Sequence, residues 1–173
     1  NGNGEHPTQA LLDLYTINKH LYDINFNHQI TQLGSKKNKD YVNNKNIFNI
    51  LFIGDILNSR TIHSLIKILL KFNNVEIDLL PYNNCRSLEI EKIINKKSLE
   101  KDKIVFGNYN VIYITRFQAE RTDIKIKPDI VIDNKFLDKL NKNTIILHPL
   151  PRNQEINSEV DKDKRCKYFK QME

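Results

Sequence analysis

The sequence predicts an α/β fold of three layers, with one parallel sheet carrying helices on both faces. Three observations predict it. Apolar runs of strand length alternate along the chain with segments of helical spacing. Those runs are apolar at successive positions, as strands buried on both faces must be. Polar residues gather just after three of the runs, at the strand ends where open parallel sheets bind ligands.

In chain order, residues 1–5 read as a Gly/Asn loop. His6-Pro7-Thr8-Gln9 opens a helix, with Pro7 where a missing N–H costs nothing. Leu11, Leu12, Leu14, Tyr15 and Leu21 give that helix one apolar face, expected to point inward. Residues 25–46, rich in Asn and Lys, read as a mobile loop. Ile47–Ile53 is a nearly continuous apolar strand. Gly54–Ser59 turns, and Arg60–Phe72 is an amphipathic helix with Ile62, Leu65, Ile66, Leu69 and Leu70 inward. Val75–Leu80 is a second strand, closed by Pro81, and Ser87–Lys97 the next helix. Ile104-Val105-Phe106 reads as a short strand and Val111–Thr115 as a clear one. Arg116–Lys127 is a polar loop with a helical turn, Ile130–Ile132 pairs briefly, and Lys135–Leu140 is helical. Ile145–Leu147 is the last strand. Asp163–Glu173 has helical spacing and stops without a cap, so it reads as a cut helix.

Composition narrows the function. The 173 residues fit one domain or slightly more, and 39 % apolar content fits a soluble globular chain. The formal charge of +6 sits in small lysine clusters interleaved with Asn, Asp and Glu. No basic stripe carries aromatic residues, which argues against nucleic acid as a partner. No apolar run is long enough to span a bilayer, so no membrane is expected. Cys85 and Cys166 lack metal-ligand spacing and do not make a disulfide framework, so a reducing, cytoplasmic setting is the expectation. The chain begins Asn-Gly-Asn-Gly without Met and reads as starting inside a longer protein, where a targeting segment could precede it.

Chemistry concentrates after the strands. Gly54-Asp55 follows the first strand, with Arg60 close behind. Thr115-Arg116-Phe117-Gln118 follows another, and His148-Pro149-Leu150-Pro151-Arg152 follows the last. Arg60 begins a helix, where the macrodipole disfavours a cation; a bound carboxylate or phosphate would reverse that penalty. A solvated arginine, or one paired with an acid, is the alternative. Arg116 and Gln118, two residues apart, offer a planar fork and an amide that match one carboxylate. Glu120 or Glu155 could orient Arg116, and a plain surface ion pair is the bland alternative. His6 at a helix start favours the neutral imidazole, which can still donate to a carbonyl oxygen. The prolines hold the Pro149 and Leu150 carbonyls stiffly, with Arg152 as an adjacent cation. His20, His28 and His63 receive no role. No dinucleotide fingerprint, P-loop, nucleophile elbow or metal cluster is present, so neither cofactor nor metal is expected. Positioning and electrostatic stabilisation of an anion fit better than covalent catalysis.

Four stretches together resemble the aspartate carbamoyltransferases: His6–Asp13, Gly54-Asp55 with Arg60–Leu65, Thr115–Gln118 with Glu120-Arg121, and His148–Arg152 with Glu155-Ile156. Each is weak alone; their joint order and spacing are specific. The resemblance implies a Rossmann-like aspartate-binding domain over residues 1–173, with the preceding carbamoyl-phosphate domain absent and the closing helix truncated. The family transfers a carbamoyl group from carbamoyl phosphate to L-aspartate, giving carbamoyl aspartate and phosphate for pyrimidine synthesis. It implies that His6 contacts the carbamoyl oxygen and Gln9 the carbamoyl amine. Arg60 would hold the α-carboxylate of aspartate, and Arg116 with Gln118 its β-carboxylate. The Pro149 and Leu150 carbonyls would orient amino groups across a cis Leu150–Pro151 peptide. Glu120 would support Arg116, Arg121 would help bridge the two domains, and Arg152 and Glu155 count as further supporting residues. A homotrimer is implied for the whole protein, and an inactive fragment for this chain alone.

Some positions depart from the family pattern. Leu57 and Ser59 stand near a usual Lys and Gly, Ala119 where Lys is frequent, and Asn153-Gln154 in a usually acidic segment. Ornithine-specific relatives usually carry Cys at the position of Pro149 and lack the Arg-x-Gln, so this chain reads as the aspartate type. A non-catalytic amino-acid-binding or assembly module is the rival of a different class.

Overall fold

In the computed structural model, residues 5–21, 47–119 and 127–172 are described. The expected loop at 25–46 and the positions of Glu120 and Arg121 lie outside them.

Four parallel strands form one sheet in the order β2-β1-β3-β4: β1 Phe48–Gly54, β2 Val75–Pro81, β3 Val111–Ile114 and β4 Ile145–Leu147. The two-sided apolar runs make this possible. Phe48, Ile50 and Phe52 of β1 share one core with Val111, Tyr113, Ile145 and Leu147. Leu51 and Ile53 enter the opposite core with Ile112, Ile114 and Ile146. Both faces are therefore buried with a period of two. The first core is covered by α1 (Pro7–His20), α2 (Arg60–Leu69) and α3 (Leu88–Ile94), which contribute Ile17, Ile62, Leu65, Ile66 and Ile90. The second is covered more thinly. The short helix α4 (Asn134–Leu137) supplies Phe136 and Leu137, and 3-10 turns and loops supply Phe106, Val160 and Tyr168.

Local chemistry sets the element ends. Ser59 caps α2 by accepting the Ile62 N–H, Ser87 caps α3 by accepting that of Ile90, and Asp133 caps α4 by accepting that of Phe136. Asn95 ends α3 in the left-handed conformation.

The structure corrects several expectations. Leu11 and Tyr15 are 57 % and 63 % exposed, and α1 instead buries Gln9, Ala10, Asp13, Thr16 and Ile17. Its polar face turns inward because the Asp13 carboxylate and Gln9 amide find hydrogen-bond partners there. Leu70 is exposed past the end of α2. Ile104–Phe106 forms no strand: it lies between two 3-10 turns, and Phe106 fills the second core instead of pairing. The tail has no α-helix through residue 172. Its backbone runs beside β4, with Ile146 N–H donating to Arg165 O and Lys167 N–H to Ile146 O, before a 3-10 turn at Lys170–Met172.

One ion pair anchors the β2-to-β3 crossover. Glu91 is buried and receives Arg86 through two bonds of 2.6 and 2.7 Å, plus the Ser98 N–H at 2.8 Å. The Arg86 bonds, then those of Ser98, outweigh burial and hold the Glu91 carboxyl at about 2, below its ordinary 4.5. A depressed carboxyl stabilises the fold above its unfolded pKa, and that contribution is lost as pH falls toward the folded value. Glu91→Gln is therefore expected to lower the urea midpoint at neutral pH and to flatten its decline below pH 4.5. Parallel wild-type and variant curves across that range would contradict the assignment.

Candidate active site

Strand β1 has β2 on one side and β3 on the other, so the chain reverses its direction of travel across the sheet between β1 and β3. Ligands bind outside the carboxyl ends of strands at such a point. A cleft of about 170 Å³ opens there. His6, Gln9, Arg60, Arg116, Gln118, Pro149 and Leu150 line it, joined by Ser59, Thr61, Thr115, His148 and Pro151. The structure thus brings together groups from four separated segments.

His6 is the N-cap of α1. Its Nδ1 accepts the Gln9 N–H at 3.3 Å, which leaves Nε2 as the protonated donor atom of the neutral ring. Its own N–H donates to Ser64 Oγ at 2.8 Å, tying α1 to α2. Arg60 starts α2 beside the Ser59 cap.

Gly54 makes the β1 turn with φ +117°, and its carbonyl accepts the Ile56 and Tyr82 N–H groups. Asp55 then reaches across the switch point. It is fully buried, its N–H donates to Thr115 Oγ1 at 3.2 Å, and its Oδ2 accepts the Gln118 N–H at 3.1 Å. Oδ1 accepts the Asn58 N–H at 3.0 Å. One carboxylate thereby fixes both the turn after β1 and the segment carrying Arg116 and Gln118. The Gln118 amide donates to Asn58 O at 3.0 Å, and Arg116 donates to Phe117 O at 3.3 Å.

The loop after β4 is held by His148. Its Nδ1 accepts the Leu150 N–H at 2.8 Å, so Nε2 carries the proton and donates to Glu155 Oε1 at 3.0 Å. Leu150 sits at φ +52° before a cis Leu150–Pro151 peptide. Burial raises the Glu155 pKa, but bonds from His148 and the Asn153 N–H prevail, and it lies below its ordinary value.

Two supporting assignments change. Glu155 is committed to His148 and Asn153, so it does not orient Arg116. Arg152 does not line the cleft as a cation. It grips Asp161 with both terminal nitrogens and lies over the Tyr168 and Phe169 rings of the tail. Sequence reasoning gave no role to Asp13, Asp55 and His148, though it quoted their motifs, and missed Gln171. Asp55 and His148 carried a signal, since each stands at a strand end; Asp13 and Gln171 carried none. Cys85 is no nucleophile: burial, then the Asp55 charge, pushes its thiol up to about 12. Among the described residues no His, Cys, Asp and Glu group could hold a metal, and no helix is long and apolar enough to cross a membrane.

Comparison with known proteins places the chain among relatives of this fold. A multifunctional protein of Dictyostelium discoideum, pyr1-3, is 36 % identical over 99 % of this chain and 7 % of its own length. The aspartate carbamoyltransferase catalytic subunit of Alkaliphilus oremlandii is 36 % identical over 98 % of this chain. The chain spans 49 % of that subunit. The aspartate transcarbamoylase of Trypanosoma cruzi, solved with aspartate and phosphate, superposes with a TM-score of 0.76 at 31 % identity. That match covers 99 % of this chain and 51 % of the other. The family model for the Asp/Orn binding domain matches residues 46–173, and the chain belongs to the aspartate/ornithine carbamoyltransferase family.

Proposed function

We propose that this chain is the aspartate-binding half of an aspartate carbamoyltransferase. The reaction moves the carbamoyl group of carbamoyl phosphate to the amine of L-aspartate, giving N-carbamoyl-L-aspartate and phosphate for pyrimidine synthesis. The observation that carries the reading is the convergence of His6, Gln9, Arg60, Arg116, Gln118, Pro149 and Leu150 on one cleft. Solved relatives with aspartate or carbamoyl phosphate bound support the substrate pair.

In this reading the roles are those the family resemblance implies, and the donor and acceptor inventory fits them. Arg60 and the Arg116–Gln118 pair take the two carboxylates of aspartate. The Pro149 and Leu150 carbonyls accept N–H groups and aim the amine at the carbamoyl carbon. His6 Nε2 donates to the carbamoyl oxygen as negative charge grows there, and Gln9 contacts the carbamoyl amine. By the same resemblance Glu120 would support Arg116 and Arg121 would bridge to a carbamoyl-phosphate domain; both lie outside the described residues. Arginines are the wrong sign for the ammonium of ornithine, which favours aspartate. The proposed setting is the cytoplasm, in keeping with two free thiols, and the proposed assembly is a homotrimer of full-length subunits.

The test is an assay of the complete protein and of this 173-residue chain side by side. The complete protein is expected to make carbamoyl aspartate and to ignore ornithine. The chain alone is expected to make none. Each missing oxyanion donor costs ~10²–10³ in rate, and the phosphate-binding energy would be missing too. Ornithine use by the complete protein, or turnover by this chain alone, would overturn the reading.

A further inference from the structure

Behind the cleft lies a carboxylate that the proposed chemistry does not use. Asp13 is fully buried on α1. Its Oδ1 accepts the Gln9 Nε2 at 2.8 Å and also the Gln171 Nε2; its Oδ2 accepts the Tyr113 hydroxyl at 2.7 Å. Gln171 continues the chain of contacts, because its Oε1 accepts the His148 N–H at 3.0 Å.

An ionised carboxylate only accepts hydrogen bonds. Both glutamines must therefore turn their NH₂ toward Asp13 and their carbonyl oxygen away. For Gln171 the far end agrees independently, since a reversed amide would set NH₂ against the His148 N–H. For Gln9, which lines the cleft, the carbonyl oxygen is the end left for a ligand.

We propose that Asp13 is a positioning residue: its acceptor-only carboxylate locks the Gln9 amide so that an oxygen faces the cleft, and steadies the Pro149-Leu150 loop through Gln171 and His148. That oxygen suits a ligand bearing an NH₂ group, such as a carbamoyl amine. The ligand half of the inference rests on the proposed function; the lock itself does not.

Protonation releases the lock. A protonated Asp13 gains a donor and can give it to the Gln9 oxygen, so either amide orientation is satisfied. Burial raises the Asp13 pKa to about 6, against the hydrogen bonds of Tyr113, Gln9 and Gln171 and the charge of His6. The groups that act on it come from three sides. His6 and Gln9 belong to the start of α1, Tyr113 to β3 and Gln171 to the tail. Strand β4 adds only Ile145-Ile146-Leu147, and from α2 Thr61 reaches the Tyr113 hydroxyl. Burial holds the Tyr113 phenol well above its ordinary pKa, so it stays a donor throughout.

The decisive measurement follows the side-chain amide signals of Gln9 and Gln171 by NMR in this chain, from about pH 4.5 to 8. Both are expected to shift together with a midpoint near 6, and to lose that titration in Asp13→Asn. Amide signals that ignore pH in the wild type overturn the release by protonation; the lock itself is overturned by Gln9 and Gln171 amide signals that are the same in Asp13→Asn as in the wild type. In the complete protein, Asp13→Asn is expected to raise KM for carbamoyl phosphate about tenfold or more, with KM for aspartate changed much less. An unchanged KM for carbamoyl phosphate breaks the link to the cleft. Amides that titrate in a protein lacking carbamoyltransferase activity leave the lock standing and defeat the proposed function instead.

Discussion

Arg116→Ala in the complete protein is expected to lower kcat/KM for aspartate about 10- to 150-fold while leaving carbamoyl phosphate binding nearly unchanged. The magnitude follows from the loss of charge-assisted hydrogen bonds, worth on the order of 1.5–3 kcal/mol. The direction follows from place. Arg116 stands just past β3 on the cleft wall, within a segment that Asp55 holds through the Gln118 N–H. Because the scaffold is fixed by Asp55 and Thr115, removing the guanidinium should leave the backbone standing. Arg116→Lys should recover only part of the loss, since a point charge cannot reproduce a planar fork. Aspartate kinetics unchanged in Arg116→Ala would refute the carboxylate assignment.

The strands were readable because burial on both faces leaves a one-dimensional trace. Phe48–Ile53, Val111–Ile114 and Ile145–Leu147 are apolar at every position or nearly so, and no other element needs that. The cleft residues were readable for a related reason. Parallel strands align their carboxyl ends, so polar residues after separate strands meet. What could not be read is the polar scaffold behind them. Leu11, Leu12 and Tyr15 of α1 point away from the core, and Asp13 points in, satisfied by Tyr113 and Gln171, partners 100 and 158 residues away. No periodicity encodes a partner that distant. Arg152 illustrates the reverse error. A cation beside a rigid corner resembled a ligand-binding group, but Asp161 and Tyr168, only 9 and 16 residues on, capture it.

Gly54→Ala is expected to destabilise the fold by on the order of 3 kcal/mol or more, larger than an ordinary surface or strand substitution. Two costs combine. The backbone at φ +117° is one that side-chain-bearing residues rarely adopt. A Cβ would also lie 2.3 Å from Thr115 O and 2.8 Å from Thr115 Oγ1. The first of those atoms is backbone and cannot rotate away. Relief requires β1 and β3 to part at their carboxyl ends, where Thr115 N–H donates to Ile53 O at 3.0 Å and Asp55 N–H to Thr115 Oγ1 at 3.2 Å. In a chain of this size the loss corresponds to a Tm about 6–12 °C lower. Gly107→Ala is the internal control, because its Cβ would meet Lys139 O at 3.3 Å, a contact relieved by a small shift. It should cost less than about 1 kcal/mol. The same separation of β1 from β3 would move Asp55 away from the Gln118 N–H it holds. Aspartate use should therefore fall in Gly54→Ala even at temperatures where the variant remains folded. A variant that melts within about 1 °C of wild type would mean that the two strand ends are not held in contact, and the cleft would need another explanation.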